Sequence, residues 1–320
     1  MSTNEASNKV EETEERYDRF YLSHMQSVRS ASGNYYLNQR FVGKGGNGTT
    51  FFVTCTSGHN QGVQFALKVF HKISDEKRRS RFLDEIEHYR ALNHPALLNI
   101  YDTGTYQSEH REYPFAVVDY IPDTLENIIG MGSPNVTRLD AIRYVYNVAS
   151  GMACLHRQKN PIVHRDIKPA NILVHGQSAR LGDLGLAKVL MAHEDEEDPE
   201  EVAAYAAMPF FYRTPELVNI ARGVSVELTP ASDIYQLGLV LYRSLTGYNP
   251  QIRPANVTDE IVLDIRKIEG VSSGLLDPLI EAMLANDSAD RPSATQVMQR
   301  LNQVHSAVCT ADLQATGIMR

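Results

Sequence analysis

Two acidic residues, a lysine and an asparagine lie close together in the middle of the sequence. Asp166, Lys168 and Asn171 share one short segment, and Asp183 follows after an apolar, β-rich run. Pro169 disfavours a helix across this segment, because proline lacks a backbone N–H and restricts the residue before it. Carboxylate and amide oxygens are the ligands that hard divalent cations prefer. The cluster therefore predicts a site that orients a hydroxyl group, neutralises phosphate and holds a divalent metal.

A second candidate phosphate site is a glycine-rich turn between two predicted strands, Tyr35–Phe41 and Thr50–Cys55. Because glycine has no Cβ, backbone N–H groups in such a turn can approach a phosphate closely. The G-x-G-x-x-G spacing by itself also fits a flexible hairpin. A strand follows the last glycine, whereas a dinucleotide-binding fold requires a helix there. The glycines of the turn are Gly43, Gly45, Gly46 and Gly48.

The H-R-D-I-K-P-A-N motif that ends at Asn171 and the D-L-G motif that begins at Asp183 resemble the catalytic loop and the metal-binding turn of protein kinases. A lone H-R-D is not informative, but both motifs in this order are highly specific. The resemblance covers residues 36–301 and identifies a eukaryotic-like (Hanks-type) Ser/Thr protein kinase. It implies an α+β, bilobal fold with a β-rich N-lobe and a mainly helical C-lobe.

This resemblance also divides the chain. We expect an acidic N-terminal extension over residues 1–34, either helical or disordered, in which Tyr17, Phe20, Tyr21 and Val28 form a weak helical stripe. The kinase domain is expected over residues 35–301, followed by a C-terminal tail. Its parts are the N-lobe (35–118), the hinge (119–122) and the C-lobe (123–301), and the tail is 302–320.

The resemblance assigns roles to the central cluster. It implies that Asp166 accepts a hydrogen bond from the substrate hydroxyl and takes its proton, while Lys168 contacts the transferred phosphoryl group. It implies that Asn171 and Asp183 hold Mg²⁺, with Mn²⁺ as the alternative. A lysine two residues after the aspartate is typical of Ser/Thr-directed enzymes.

The same resemblance predicts how ATP is bound. Lys68, in the apolar strand Gln64–Phe70, holds the α- and β-phosphates and is fixed by a carboxylate from the next helix. That carboxylate belongs to Glu85, with Glu87 as the alternative, although both glutamates also fit exposed surface positions. The full set of implied ATP-binding residues is Val42, Gly43, Gly45, Gly46, Gly48, Ala66, Lys68, Val118, Asp119, Ile121 and Leu173.

Three further residues resemble structural marks of the C-lobe. Glu216, in T-P-E, corresponds to the buried glutamate that pairs with an arginine, here Arg291. Asp233 corresponds to the aspartate that supports the backbone of the catalytic loop. These marks separate protein kinases from small-molecule kinases of similar fold. Since a buried charge without its partner costs several kcal/mol, the presence of both Glu216 and Arg291 is informative.

The segment between Leu184 and Arg213 contains no serine or threonine. By the resemblance, Pro209 replaces the threonine that normally contacts the catalytic cluster, and the usual phosphorylation position is Tyr205. Three cations, Arg165, Lys188 and Arg81, are nevertheless expected to converge on an anion. The anion is either phosphorylated Tyr205 or the acidic run of residues 194–201, a run that also fits an ordinary solvated loop.

The composition limits the classes of binding partner that the sequence supports. The net charge of the 320 residues is −8, which gives no support to nucleic-acid or anionic-membrane binding. No apolar run approaches the roughly 20 residues that span a bilayer. The three cysteines show no metal-ligand spacing and suit a reducing cytoplasm. The expected partners are ATP and a protein substrate, with a homodimer as an option for trans-autophosphorylation.

The leading hypothesis is an ATP-dependent protein kinase that acts on protein hydroxyl groups, with Ser/Thr favoured. The absence of the threonine near Pro209 leaves tyrosine as an acceptor open. A nucleotide-binding scaffold of the pseudokinase type is the first alternative, but the catalytic residues are all present. A small-molecule phosphotransferase is the second, and the C-lobe residues Glu216, Asp233 and Arg291 argue against it.

Overall fold

A computed structural model describes residues 20–44, 48–70, 80, 83, 86–87, 89–108, 111–130, 136–182, 211–269 and 273–315. The chain divides into two units. One comprises Met1–Asn93 with Asn99–Tyr120, and the other comprises His94–Leu98 with Ile121–Arg320. The first is β-rich and the second mainly helical, in the order that the sequence predicted. The division after Tyr120 falls within the predicted hinge.

The first unit is built on an antiparallel sheet with the order β1-β2-β3-β4-β6-β5. Alternate residues of β3 are buried, and they include Phe51, Val53 and Cys55, because successive side chains of a strand point to opposite faces. In β4 most residues are buried, as befits a strand with neighbours on both sides. The strands are β1 (Ser27–Arg29), β2 (Tyr35–Lys44), β3 (Gly48–Cys55), β4 (Gln64–Phe70), β5 (Ile100–Gln107) and β6 (Glu112–Asp119).

Residues 20–34 belong to this sheet unit, which differs from the extension that the sequence suggested. Val28 lies in β1 opposite Tyr36, so the helical interpretation is wrong at that position. Leu22 is only 2% exposed, and the ring of Phe20 lies 4.8 Å from that of Tyr113. The apolar spacing that resembles a helix reflects tertiary packing against the sheet instead. Tyr17 lies outside the described residues.

A buried carboxylate, Asp102 of β5, anchors the turn between β1 and β2. Its Oδ2 atom accepts hydrogen bonds from the hydroxyl groups of Ser30 (2.7 Å), Ser32 (2.5 Å) and Tyr36 (3.0 Å), and from the Asn34 amide (3.1 Å). Burial alone raises the pKa of Asp102, but the four hydrogen bonds outweigh it and hold the pKa below its usual value. The turn between β1 and β2 is thus attached to β5 through the carboxylate of Asp102.

We expect Asp102→Asn to lower the free energy of unfolding by about 1–3 kcal/mol, because an amide leaves some of the four buried donors unpaired. A carboxyl group whose pKa is lower in the folded state stabilises the fold at pH values above its unfolded-state pKa of about 3.9. That stabilisation disappears as the pH falls through the folded pKa. Thermal unfolding should therefore show a larger difference between Asp102→Asn and the wild type at pH 7 than at pH 3. The exposed control Asp264→Asn should unfold like the wild type, and so would Asp102→Asn if the anchor were unimportant.

The second unit is organised around two long helices. The hydroxyl of Thr137 caps α2 by accepting from the Asp140 N–H, and the buried face of α2 includes Val145 and Met152. Helix α4 is buried along most of its length and ends at Gly247, which adopts a left-handed φ of 78°. The helices are α1 (Leu125–Ile129), α2 (Arg138–His156), α3 (Pro215–Ala221), α4 (Pro230–Thr246), α5 (Ser273–Met283) and α6 (Ala294–Ala315).

A small antiparallel sheet, with the order β7-β8-β9, completes this unit. Its strands are β7 (Asp123–Thr124), β8 (Ile172–His175) and β9 (Ser178–Leu181). Residues 94–98 were expected in the N-lobe but pack here, because Leu181 N–H donates to the Ala96 carbonyl at 2.8 Å. Gly151 of α2 permits this approach, since a Cβ there would lie 3.1 Å from the Ala96 oxygen. None of the helices in the described ranges is long and apolar enough to cross a membrane.

Candidate active site

The loop that carries the central cluster contains one short turn of 3₁₀ helix, Pro169–Asn171. The sequence predicted that Pro169 would prevent a helix, and this is wrong over a single turn. Proline is tolerated at the first position of a helix, where the missing N–H has no partner to lose. The turn closes with Asn171 N–H donating to the Lys168 carbonyl at 2.9 Å. It brings Asn171 back toward the start of the loop.

Asp166, Lys168 and Asn171 are in direct contact. The Lys168 Nζ donates to the two carboxylate oxygens of Asp166 at 2.9 and 3.1 Å. The Asn171 Nδ2 donates to the Asp166 Oδ2 at 2.9 Å and to the Asp166 carbonyl at 2.8 Å. The Asp166 side chain is 16% exposed and that of Lys168 is 25% exposed. The three residues therefore form an oriented cluster with a carboxylate that remains partly open.

The backbone before Asp166 is fixed by Asp233, which is fully buried in α4. Its two carboxylate oxygens accept hydrogen bonds from the N–H groups of His164 and Arg165, each at 2.8 Å. The His156 Nε2 lies 2.9 Å from the same carboxylate. Arg165 has a φ of 66°, which is uncommon for a residue with a Cβ. These hydrogen bonds support the strained residue directly before the catalytic candidate.

Two residues that sequence reasoning missed, His156 and Gln236, also support the loop. The Gln236 Oε1 accepts a hydrogen bond from the Ile167 N–H at 2.8 Å. Gln236 lies three positions after Asp233 and therefore on the same face of α4, a spacing that could have revealed it. No motif in the sequence marks His156, which lies at the end of α2.

Glu216 and Arg291 form a buried ion pair. The Arg291 Nη2 lies 2.8 Å from the Glu216 Oε1. Arg291 also donates to the carbonyl oxygens of Ala285 (2.8 Å), Ala231 (3.0 Å) and Asn286 (3.0 Å). These contacts of Arg291 help to offset the hydration that its buried guanidinium loses. The pair fastens the segment after residue 213 to the loop that precedes α6.

In the sheet unit, Lys68 lies on β4 between the buried residues Leu67 and Val69. Its Nζ lies 5.5 Å from the centre of the Phe70 ring. Ala66 and Val118 are directly opposite each other on β4 and β6, and both are buried. The strand register thus places an ammonium group near two small apolar side chains, a combination that suits the phosphates and base of a nucleotide.

The ends of the glycine-rich turn have different surroundings. A Cβ on Gly48 would lie 2.2 Å from the Val69 carbonyl oxygen, so close packing of β3 on β4 requires glycine there. At Gly43 a Cβ would meet no atom within 4 Å, and Val42 beside it is exposed. The requirement for glycine at Gly48 therefore comes from the sheet itself, while Gly43 leaves open space above the strand.

The remaining predicted residues divide between the two units. The Asp119 carboxylate accepts from the Asn99 N–H at 3.1 Å and from the Tyr101 hydroxyl at 2.8 Å, so its side chain has structural partners within the sheet unit. Ile121 and Leu173 are half-buried in the helical unit. Several predicted residues lie outside the described part of the chain, namely Gly45, Gly46, Arg81, Glu85, Asp183, Lys188, Tyr205, Pro209 and the acidic run 194–201. Glu87 is described, and its carboxylate accepts from the Thr103 hydroxyl at 3.2 Å.

The oxygen atoms at the catalytic loop fit a hard divalent cation. Because the Asn171 Nδ2 donates twice to Asp166, the amide oxygen is the atom left for other ligands. An amide oxygen beside a carboxylate suits Mg²⁺ and does not suit a thiophilic metal. Among the described residues there is no cluster of three His, Cys, Asp or Glu side chains that could form a separate metal site.

Comparisons with known proteins agree with this geometry. A family model described as the protein kinase domain matches residues 36–301. The serine/threonine-protein kinase PknB of Mycobacterium leprae is 31% identical over 235 residues, which are 71% of this chain and 36% of that protein. The L-type lectin-domain containing receptor kinase V.5 of Arabidopsis thaliana is 30% identical over 263 residues, 80% of this chain and 36% of that protein. The chain therefore spans little more than a third of the length of these relatives.

A solved structure shows the same fold. The kinase domain of PknI from Mycobacterium tuberculosis superimposes with a TM-score of 0.59 at 22% sequence identity. The match covers 89% of this chain and 100% of that one. The α+β fold with a β-rich and a mainly helical part, which the sequence predicted, is confirmed.

Proposed function

Since the chain belongs to the protein kinase family, we propose that it transfers the γ-phosphoryl group of ATP to hydroxyl groups of protein substrates, as a serine/threonine kinase. The observation that carries this proposal is the cluster of Asp166, Lys168 and Asn171, in which a partly exposed carboxylate is oriented by two hydrogen-bonding neighbours. A carboxylate held in this way is suited to receive a proton from a hydroxyl group.

In this proposal each residue has a defined task. Asp166 accepts the hydrogen bond of the substrate hydroxyl and takes its proton as the oxygen attacks the γ-phosphorus, the bond to the β-phosphate oxygen breaks and ADP leaves. Lys168, whose ammonium group donates to the Asp166 carboxylate, balances negative charge on the phosphoryl group. Lys68 binds the α- and β-phosphates. Asn171 and Asp183 would hold Mg²⁺, which when bound offsets phosphate charge. Most of the rate enhancement then comes from placement and electrostatics.

The alternative functions make different demands. A nucleotide-binding scaffold has no need for an oriented, accessible carboxylate at Asp166. A small-molecule phosphotransferase does not explain the buried pair of Glu216 and Arg291, which fastens the segment that borders the protein substrate in this proposal. The partners proposed here are ATP and a protein bearing serine or threonine, with tyrosine as a second acceptor.

The test is an incubation of the full chain with γ-labelled ATP, Mg²⁺ and casein. We expect label on casein, and we expect Lys68→Met to lower kcat/KM for ATP by about 10²-fold, because one electrostatic contact to the phosphates is lost. The matched control is Lys267→Met, which removes an exposed lysine of the helical unit and should leave the rate unchanged. ATP binding without transfer by the wild type would support the scaffold, and label only on small metabolites would support the third function.

A further inference from the structure

Gln236 is a buried glutamine of α4 whose side-chain amide contacts two separate segments of the chain. It is 2% exposed. Its Oε1 accepts from the Ile167 N–H at 2.8 Å. Its Nε2 donates to the Tyr212 carbonyl at 2.9 Å and to the Arg165 carbonyl at 3.4 Å. One amide thus connects the catalytic loop to the residue that leads from the segment 183–210 into α3.

The groups that Gln236 contacts in the loop lie on both sides of Asp166. The Arg165 carbonyl precedes that residue and the Ile167 N–H follows it. Asp233 already holds the Arg165 N–H at 2.8 Å. With Gln236 in place, the peptide groups on both sides of Asp166 are fixed to the same helix. Such fixation matters because a shift of about 1 Å in a catalytic group can lower a rate about 10²-fold.

Both segments contain a left-handed residue at the point of contact. Arg165 has a φ of 66° and Tyr212 has a φ of 70°. For a residue with a Cβ this conformation costs roughly 1–2 kcal/mol, so surrounding contacts must maintain it. The Tyr212 hydroxyl accepts from the Arg243 Nη1 at 2.9 Å. Tyr212 is therefore held by its side chain at one end and by Gln236 at its carbonyl.

The sequence shows why a connection of this kind is needed. Residues 185–212 contain no serine or threonine, so no hydroxyl of that type from this segment can bond to Asp166 or Lys168. We infer that Gln236 is the positioning residue that joins the catalytic loop to the end of this segment and thereby sets the orientation of Asp166. The inference rests on the proposed function, since it assigns Gln236 a role in the same reaction.

The test compares two buried glutamines of the helical unit. Gln251 is also buried, and its amide makes two backbone bonds of the same kind, both to Arg213, at 3.1 and 2.8 Å. In the full chain, Gln236→Met and Gln251→Met should therefore lower Tm by similar amounts. We expect Gln236→Met to lower kcat about 10–30-fold with KM for ATP changed less than about threefold, because the base is misplaced while nucleotide binding is retained. Gln251→Met should keep kcat within about threefold of the wild type.

A third variant, Gln236→Glu, tests the donor side of the amide. An ionised carboxylate can still accept from Ile167 but repels the carbonyl oxygens of Tyr212 and Arg165. Burial beside two carbonyl groups raises the pKa of such a glutamate, and its protonated form regains one donor, which can bond to one of the two carbonyl oxygens. The ratio of the variant's kcat to that of the wild type should therefore rise several-fold from pH 8 to pH 6.

The outcomes separate the two proposals. Equal kcat values for Gln236→Met and Gln251→Met, with a pH-independent ratio for Gln236→Glu, would overturn the role of Gln236 while wild-type transfer still supports the kinase. Absence of transfer by the wild type would overturn the proposed function and, with it, this inference.

Discussion

Replacing Asp166 with alanine is expected to lower kcat about 10³-fold while KM for ATP changes little, since in the proposed function the substituted carboxylate accepts the proton of the substrate hydroxyl. Lys168 and Asn171 both donate to this carboxylate, so the substitution also removes the group that orients them. The measurement is steady-state transfer from γ-labelled ATP to casein, with nucleotide binding determined separately.

The structure supplies the control for this result. The Asp166 side chain is partly exposed, so its loss should shift Tm by only a few degrees. Asp264→Ala, which removes an exposed carboxylate of the same unit, should retain full activity. An Asp166→Ala variant that transfers phosphate at a tenth of the wild-type rate or faster would show that another group accepts the proton.

The second large effect is expected for Asp233→Ala. This change leaves the buried N–H groups of His164 and Arg165 without acceptors and removes the partner of His156. We expect the free energy of unfolding to fall by about 3–5 kcal/mol, the range for breaking a buried charged network. Activity should fall as well, because Arg165 loses the contacts that maintain its left-handed conformation.

Chemical denaturation of Asp233→Ala beside Asp233→Asn checks this prediction. The asparagine variant keeps one oxygen acceptor, so it should lose less stability than the alanine variant. If the two variants were equally stable, or if both matched the wild type, the carboxylate would not be the support that its three hydrogen bonds indicate.

The parts of the site that the sequence revealed are those with an ionisable side chain in a buried position, where the loss of hydration costs free energy. Asp233 is a charged residue in the buried part of α4, and Glu216 and Arg291 each need a partner, so their roles follow from the resemblance and from electrostatics. The membership of the protein kinase family inferred from the two motifs is confirmed. Gln236 was missed because a neutral amide carries a weaker signal than a charge, and only its spacing of three positions from Asp233 points to it.

The N-terminal segment shows what the sequence pattern could not predict. Phe20, Tyr21 and Val28 have a spacing that suits a helix, yet Val28 pairs with Tyr36 in a strand of three residues. Local spacing cannot reveal such a strand, because its hydrogen-bonding partner lies beyond a turn. The acceptor that fixes the turn, Asp102, is more than sixty positions away from it and is marked by no motif.

The anchor at Asp102 bears on where the folding unit starts. The family match begins at residue 36, yet three of the four donors to Asp102, namely Ser30, Ser32 and Asn34, precede that residue. A recombinant fragment trimmed to the family boundary would keep the buried Asp102 carboxylate but lose three of its four hydrogen-bond donors. The start of the family match therefore differs from the start of the segment that packs on the sheet, and expression trials should start upstream of Phe20.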